Sequence, residues 1–235
     1  MRNGSIYILF YAVTLAVYIF SITAHQPIPG YISKLFLSLV LAIYFYNGTS
    51  GVPAVFRILP LSALFFAGLG DMCLLFAAQE RALFTMALVI FILSLLSYSG
   101  FFLKIRYSNY PLPKCQWAFI ITSEAAIVAF IYLMLPYLGS MTVPVILFTI
   151  AISLTLQCVM HAFRLKEQPQ GWYALAGALL YVVSSAFIAI QYFYHPVPGG
   201  EIYIISTYGL GQLGLIQGGL LYLRMRMAPA NNELD

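Results

Sequence analysis

The chain has 235 residues, 62% of them hydrophobic and only 8% charged, with a mean hydropathy of +0.92. Soluble domains carry about 25% charged residues, so a water-facing globule is excluded, and the apolar residues come in long blocks rather than short core runs. The formal net charge of +4 does not make nucleic acid an expected partner, because its meaning lies in where the cations sit along the chain.

In hydrocarbon a backbone must satisfy its own hydrogen bonds, and only helices and closed barrels do so. Barrel strands would alternate in polarity over about ten residues, and no such alternation occurs. The expected class is all-α: a polytopic bundle of eight transmembrane helices in a single transmembrane domain over residues 1–235. Spans are placed near 5–24, 31–47, 53–78, 81–103, 116–136, 141–163, 172–194 and 202–223. Most run to about 20 residues, enough to cross a core of roughly 30 Å.

In chain order, the first segment follows Arg2 and has the look of a secretory leader. Its apolar stretch is long for one and no A-x-A site precedes His25, so it is read as a span. The second is short and carries Lys34; the third carries Asp71. Gln79-Glu80 then separates the third from the fourth, which holds Tyr98. The fifth begins at Trp117 and contains Glu124, and Leu138-Gly139-Ser140 turns it into the sixth, with Gln157 and His161. The seventh begins at Trp172 and carries Ser185. The eighth sets Gly211, Gly214 and Gly218 on one face, a close-packing motif, with Tyr208 and Gln212 four apart on the adjacent face.

This count places Arg2, Arg57, Lys104, Arg106, Lys114, Arg164, Lys166, Arg224 and Arg226 on one side, against Lys34 and Arg81 on the other. The cation-rich side is expected to be cytoplasmic, with both termini there. Trp117 and Trp172 fall at span starts on that side, as interfacial anchors do. The cysteines Cys73, Cys115 and Cys158 are isolated and read as buried, inert thiols. The scattered His25, His161 and His195 offer no ligand spacing, so neither a metal nor a cofactor is expected.

Five of the seven acids lie at span ends, in loops or in the tail: Glu80, Glu167, Glu201, Glu233 and Asp235. Asp71 and Glu124 remain inside spans, where an ionisable group costs roughly 2.5–3.5 kcal/mol and is a functional candidate by default; the other reading of each is a protonated carboxyl that hydrogen-bonds a neighbouring helix. By helical rise, Asp71 sits about 10 Å from the outer end of its span. Lys34, Ser185 and Gln212 reach similar depths, so these four form the expected wall of one cavity open to the outer half. An outward, snorkelling Lys34 is the other reading. Glu124, Tyr98, Gln157 and His161 fall deeper toward the cytoplasm.

At Leu64-Phe-Phe-Ala-Gly-Leu-Gly70-Asp71 the chain resembles the YhhN family of membrane proteins, whose characterised members include lysoplasmalogenases. Further likenesses follow in order along the chain. Ser33-Lys34-Leu35 is similar to the family's Lys-Pro, with Leu35 in place of Pro. Phe91-Ile-Leu-Ser94-Leu-Leu-Ser-Tyr98 is similar to its F-x-x-x-H-x-x-Y segment, with Leu95 where the histidine stands. Gly177-Ala-Leu-Leu-Tyr-Val-Val-Ser184-Ser185 is similar to its G-A-x-L-F-x-x-S-D segment, with Ser185 where many members place a second aspartate. Tyr208-Gly-Leu-Gly-Gln212 is similar to its Y-x-x-A-Q segment.

The resemblance implies hydrolysis of the vinyl-ether bond of a lysoplasmalogen, a lysophospholipid drawn from the bilayer, to a fatty aldehyde and a glycerophospho-alcohol. Vinyl ethers hydrolyse by proton transfer to carbon, which a carboxyl kept neutral in a low-dielectric site can supply. Asp71 is then the acid, and Ser185 positions water. Lys34 binds the lipid phosphate, Tyr208 and Gln212 orient the glycerol portion, and Tyr98 and Glu124 complete the substrate-binding set. Leu95 and Ser185 leave open a relative that binds or moves lipid without turnover. The matching third and seventh spans hint at a four-plus-four repeat and so at a small-solute transporter. The expected location is a bacterial inner membrane.

Overall fold

A computed structural model describes residues 2–77, 80–113 and 116–227, apart from the side chains of residues 2, 3, 27 and 227. Lys114, Cys115, Gln79, Glu233, Asp235 and the Arg2 side chain therefore lie outside the described residues. The helices are α1 Arg2–Thr23, α2 Pro27–Gly48, α3 Ala54–Leu75, α4 Arg81–Ser108, α5 Trp117–Leu138, α6 Thr142–Ala162, α7 Gly171–Ala189 and α8 Gly200–Met227. A 3₁₀ turn, Gly139–Met141, joins α5 to α6, and a π-turn, Ile190–Tyr194, extends α7. There is no strand among the described residues.

The second helix is longer than the expected 31–47. It starts at Pro27, and proline in a first turn lacks only an N–H that has no partner within the helix. The fourth overruns 103 to carry Lys104 and Arg106 in its last turns. The seventh stops its regular α geometry at Ala189, five residues before the expected end.

Among the described residues, six stretches are long and apolar enough to cross a membrane, which makes this an integral, multi-pass membrane protein. One of the six, Trp117–Ala162, holds both α5 and α6, so seven helices qualify rather than the expected eight. The exception is α8, diluted by its glycines, Glu201, Gln212, Gln217, Arg224 and Arg226. Its glutamines are answered inside the protein. Tyr44 Oη donates to Gln217 Oε1 and Tyr98 Oη to Gln212 Oε1, each at 2.5 Å. A helix so enclosed has no need of an apolar circumference.

Packing follows the order α1, α2, α3, α4, α6, α7, α8 and back to α1, which closes seven helices into a ring. Helix α5 is left outside, against α6, with only Met134 and Leu138 buried on it. The contacts of the two halves also correspond in part, as an incomplete internal repeat. Helices α1 to α4 pack in sequence, as do α5 to α8, and the cross-contacts α4 with α6 and α8 with α2 correspond to each other. Asp71 stands four residues before the end of α3, and Ser185 four before the end of α7. Lys34 stands fourteen before the end of α2, and Phe148 fourteen before the end of α6.

At the cation-rich end the positive side chains bind the last carbonyls of neighbouring helices. Arg224 Nε donates to Gly48 O at 3.1 Å, Arg106 Nη1 to His161 O at 3.2 Å, and Arg226 to Ser108 O. These are the negative ends of α2, α6 and α4, where cations are favoured. Trp117 and Trp172 are exposed at the starts of α5 and α7. Cys158 is buried and Cys73 half-buried, both as free thiols.

The α7–α8 seam depends on missing side chains. A Cβ on Gly214 would stand 2.7 Å from Gly177 Cα and from Tyr173 O, and one on Gly218 2.6 Å from Ala174 Cβ. Gly214→Leu is therefore expected to cost at least about 1–3 kcal/mol, the usual penalty of overpacking. Thermal unfolding in detergent reads this as a lowered midpoint, with Leu210→Ala on the exposed face as a control that leaves it unchanged. Equal midpoints for the two variants would contradict the seam.

Candidate functional site

A chamber of about 700 Å³ enters the ring from the end opposite the arginine cluster. Each ring helix contributes to its wall: Tyr18 from α1, Lys34 from α2, Asp71 from α3, Phe91 from α4, Phe148 from α6, Ser185 from α7 and Tyr208 from α8. His25, Gln26, Gln191, Tyr192 and Glu201 surround its mouth. The π-turn brings Gln191 and Tyr192 to that rim, a common use of such turns.

Asp71 lies in the last turn of α3 and is 3% exposed. Its Oδ1 is 3.7 Å from Lys34 Nζ, and its Oδ2 accepts a hydrogen bond from Tyr208 Oη at 2.8 Å. Tyr208 Oη in turn accepts from Gln212 Nε2 at 3.2 Å, and Gln212 Oε1 accepts from Tyr98 Oη at 2.5 Å. A single run of donors thus leads from α4 through α8 to the carboxyl on α3. Each polar atom along it has a partner, the condition for keeping such groups inside a membrane protein.

Local sequence explains the approach. Gly70 faces Phe91, whose ring would stand 3.0 Å from a Cβ there, so the glycine before Asp71 lets α3 lie close on α4. The Tyr208 ring is held edge-on by Tyr181 at 5.4 Å and Phe91 at 6.3 Å between centroids. Lys34 is 8% exposed and its ammonium lies 6.0 Å from the Tyr18 ring centroid. It turns inward to its carboxylate instead of snorkelling.

Of the residues singled out from sequence, Lys34, Asp71, Ser185 and Tyr208 line the chamber, and Gln212 and Tyr98 stand directly behind it. Ser185 Oγ donates to Tyr181 O at 3.0 Å, so what it can still offer a ligand is acceptor lone pairs. Glu124 is not brought to this site. It accepts from Ser153 Oγ at 2.7 Å and Gln157 Nε2 at 3.0 Å and so fastens α5 onto α6. Leu95 is buried away from the chamber, its carbonyl accepting from the Ser99 and Thr155 hydroxyls. Among the described residues, no three His, Cys, Asp or Glu side chains are grouped as metal ligands.

Sequence reasoning passed over Tyr18, Tyr181 and Glu201. A signal existed for the last: Glu201, Ile204, Ile205, Tyr208 and Gln212 recur at the three- and four-residue spacing of one helical face. The two tyrosines have the composition of any aromatic core and carry no such mark.

Neither a curated protein nor a solved structure matches this chain. A family model does, the YhhN family, over residues 30–219. That stretch runs from α2 into α8 and contains Lys34, Asp71, Ser185, Tyr208 and Gln212, together with Tyr98. With most of its length and the whole ion-pair and donor array inside that match, the chain belongs to the YhhN family.

Proposed function

We propose that this protein hydrolyses the vinyl-ether bond of a lysoplasmalogen, with Asp71 as general acid. The observation that carries the reading is a carboxyl buried in a spanning helix, yet set in the wall of a chamber large enough for a lipid headgroup. Carboxylic acid in this position transfers its proton to the alkenyl carbon remote from the ether oxygen. The oxygen's lone pair then forms an oxocarbenium ion with the adjacent carbon. Water adds to that carbon and returns a proton to the Asp71 carboxylate, and the resulting hemiacetal separates into aldehyde and glycerophospho-alcohol. One water is consumed and the acid is regenerated.

The neighbouring groups divide the remaining tasks. Tyr208 donates to the carboxylate after it has given up its proton. Lys34 exchanges its carboxylate partner for the lipid phosphate, which leaves Asp71 free to carry a proton. Ser185 accepts from the attacking water. The seven apolar helices and α8 together cross the membrane in this reading. The arginine cluster faces the cytoplasm, and the chamber opens on the other side of a bacterial inner membrane.

The deciding experiment is aldehyde release from a vinyl-ether lysolipid, run beside its alkyl-ether analogue. Release from the first alone is expected, because only the vinyl ether gives an oxocarbenium ion on protonation at carbon. No release from either would remove the reading.

A second reading, lipid binding without turnover, is favoured by one observation. The other carboxylate in the chamber wall, Glu201, stands seven residues before Tyr208, roughly 10 Å along α8 from Asp71's partner. In the internal repeat, Ser185 occupies the place of Asp71. If this reading holds, Ser185→Asp confers aldehyde release on a protein that otherwise only retains lysolipid.

A further inference from the structure

Beside the chamber lies a second cavity, of about 300 Å³ and nearly all apolar, between α4, α5, α6 and α7. The two adjoin: Leu74, Phe91, Phe148, Ser185 and Ile188 line both. Ala126 on α5 and Leu179 and Val183 on α7 are exposed along its rim, so it opens sideways toward hydrocarbon. At the end nearest the chamber mouth the gap is bridged by Tyr137 of α5 against Tyr194 of the π-turn, 4.8 Å between ring centroids.

The incomplete repeat places corresponding helices beside the two cavities. Among their walls, the chamber takes Lys34 from α2, Asp71 from α3 and Tyr208 from α8, and the cleft takes Phe148 from α6, Ser185 from α7 and Phe91 from α4. Phe148 stands at the place of Lys34 and Ser185 at the place of Asp71. At these matching positions the first half has an ion pair and the second a ring and a hydroxyl.

We propose that chamber and cleft are the two arms of one amphiphile site, which takes a lipid with an anionic headgroup and a single hydrocarbon chain. The headgroup lies on Lys34, the chain runs along the cleft and leaves between α5 and α7, and Ser185 stands at the junction beside the first chain carbons. The proposal rests on the reading of the chamber as a lysolipid site. A chain gains little free energy by moving from bilayer hydrocarbon into an apolar cleft. The cleft therefore serves registration: it fixes which bond of the lipid lies against Asp71, and its obstruction acts on rate more than on affinity.

The test uses the full chain in nanodiscs and two alkyl-ether lysophosphoethanolamines, which vinyl-ether chemistry does not cleave. One carries a diazirine at the chain terminus and the other a diazirine on the second chain carbon. The terminal probe is expected to label α5 peptides containing Ile127 and Phe130, and the proximal probe peptides of α3, of α8 and of α7 around Ser185. Ala186→Trp, which fills the cleft, should cut terminal labelling of those peptides by about tenfold while proximal labelling stays. Should that variant fail to fold, Ile127→Trp makes the same obstruction from α5, and the wild-type map decides by itself.

Terminal labelling spread evenly over the lipid-facing helices, or untouched by both fillings, overturns the proposal. Labelling in the cleft without aldehyde release from a vinyl-ether lysolipid overturns the hydrolase reading alone. Aldehyde release with labelling elsewhere overturns this inference alone.

Discussion

Asp71→Asn is expected to lower aldehyde release from a vinyl-ether lysolipid by about a thousandfold, within the range that a positioned general acid contributes. The amide has the carboxyl's shape and keeps an oxygen for Tyr208, so the donor run from Tyr98 through Gln212 survives. What it lacks is an acidic proton. The Lys34 ammonium then faces a neutral partner, but it lines an open chamber and sits over the Tyr18 ring, and water there can hydrate it. The fold should persist, with an unfolding midpoint within a few degrees of the parent's. Undiminished turnover in a folded Asp71→Asn protein would eliminate this carboxyl as the proton source.

Lys34→Met should separate two kinds of substrate. A charge-assisted bond to a buried phosphate is worth about 1.5–3 kcal/mol, so kcat/KM for a lysoplasmalogen is expected to fall roughly ten- to a hundredfold. A 1-alkenylglycerol, which has no phosphate, should lose far less. Lys34→Arg should recover part of the loss, because it restores the charge but not the compact ammonium. An equal loss on both substrates would instead assign Lys34 to the carboxyl itself, as the partner 3.7 Å away.

The part of the site that was legible in sequence is the part hydrocarbon makes expensive. Asp71 and Lys34 stood out because ionisable groups inside spans need partners, and each is the other's partner. Tyr208 and Gln212 followed from their spacing on a helix. Glu124 met the same cost differently. It lies on α5, outside the ring, and Ser153 and Gln157 satisfy it there. Hydropathy shows that a helix crosses the membrane, not which helices enclose a cavity, so an inward acid and a fastening acid read alike. Helix limits erred for a similar reason. Proline at the start of α2 and the polar content of α8 look like breaks or weak spans until their neighbours are known. The apolar cleft left no trace, because its residues have the composition of any lipid-facing surface.

The weak apolarity of α8 has a consequence for biogenesis. It is the last of the described helices in chain order and the least able to reside in bare lipid. Its glutamines and glycines become tolerable only against α1, α2, α4 and α7, which must already be in place. Because α8 also delivers Tyr208 to Asp71, the hydrogen bond between them cannot form in a partly inserted chain. A chain without α8 would be an open horseshoe of helices, with Tyr44, Tyr98 and Asp71 deprived of their α8 partners inside the membrane.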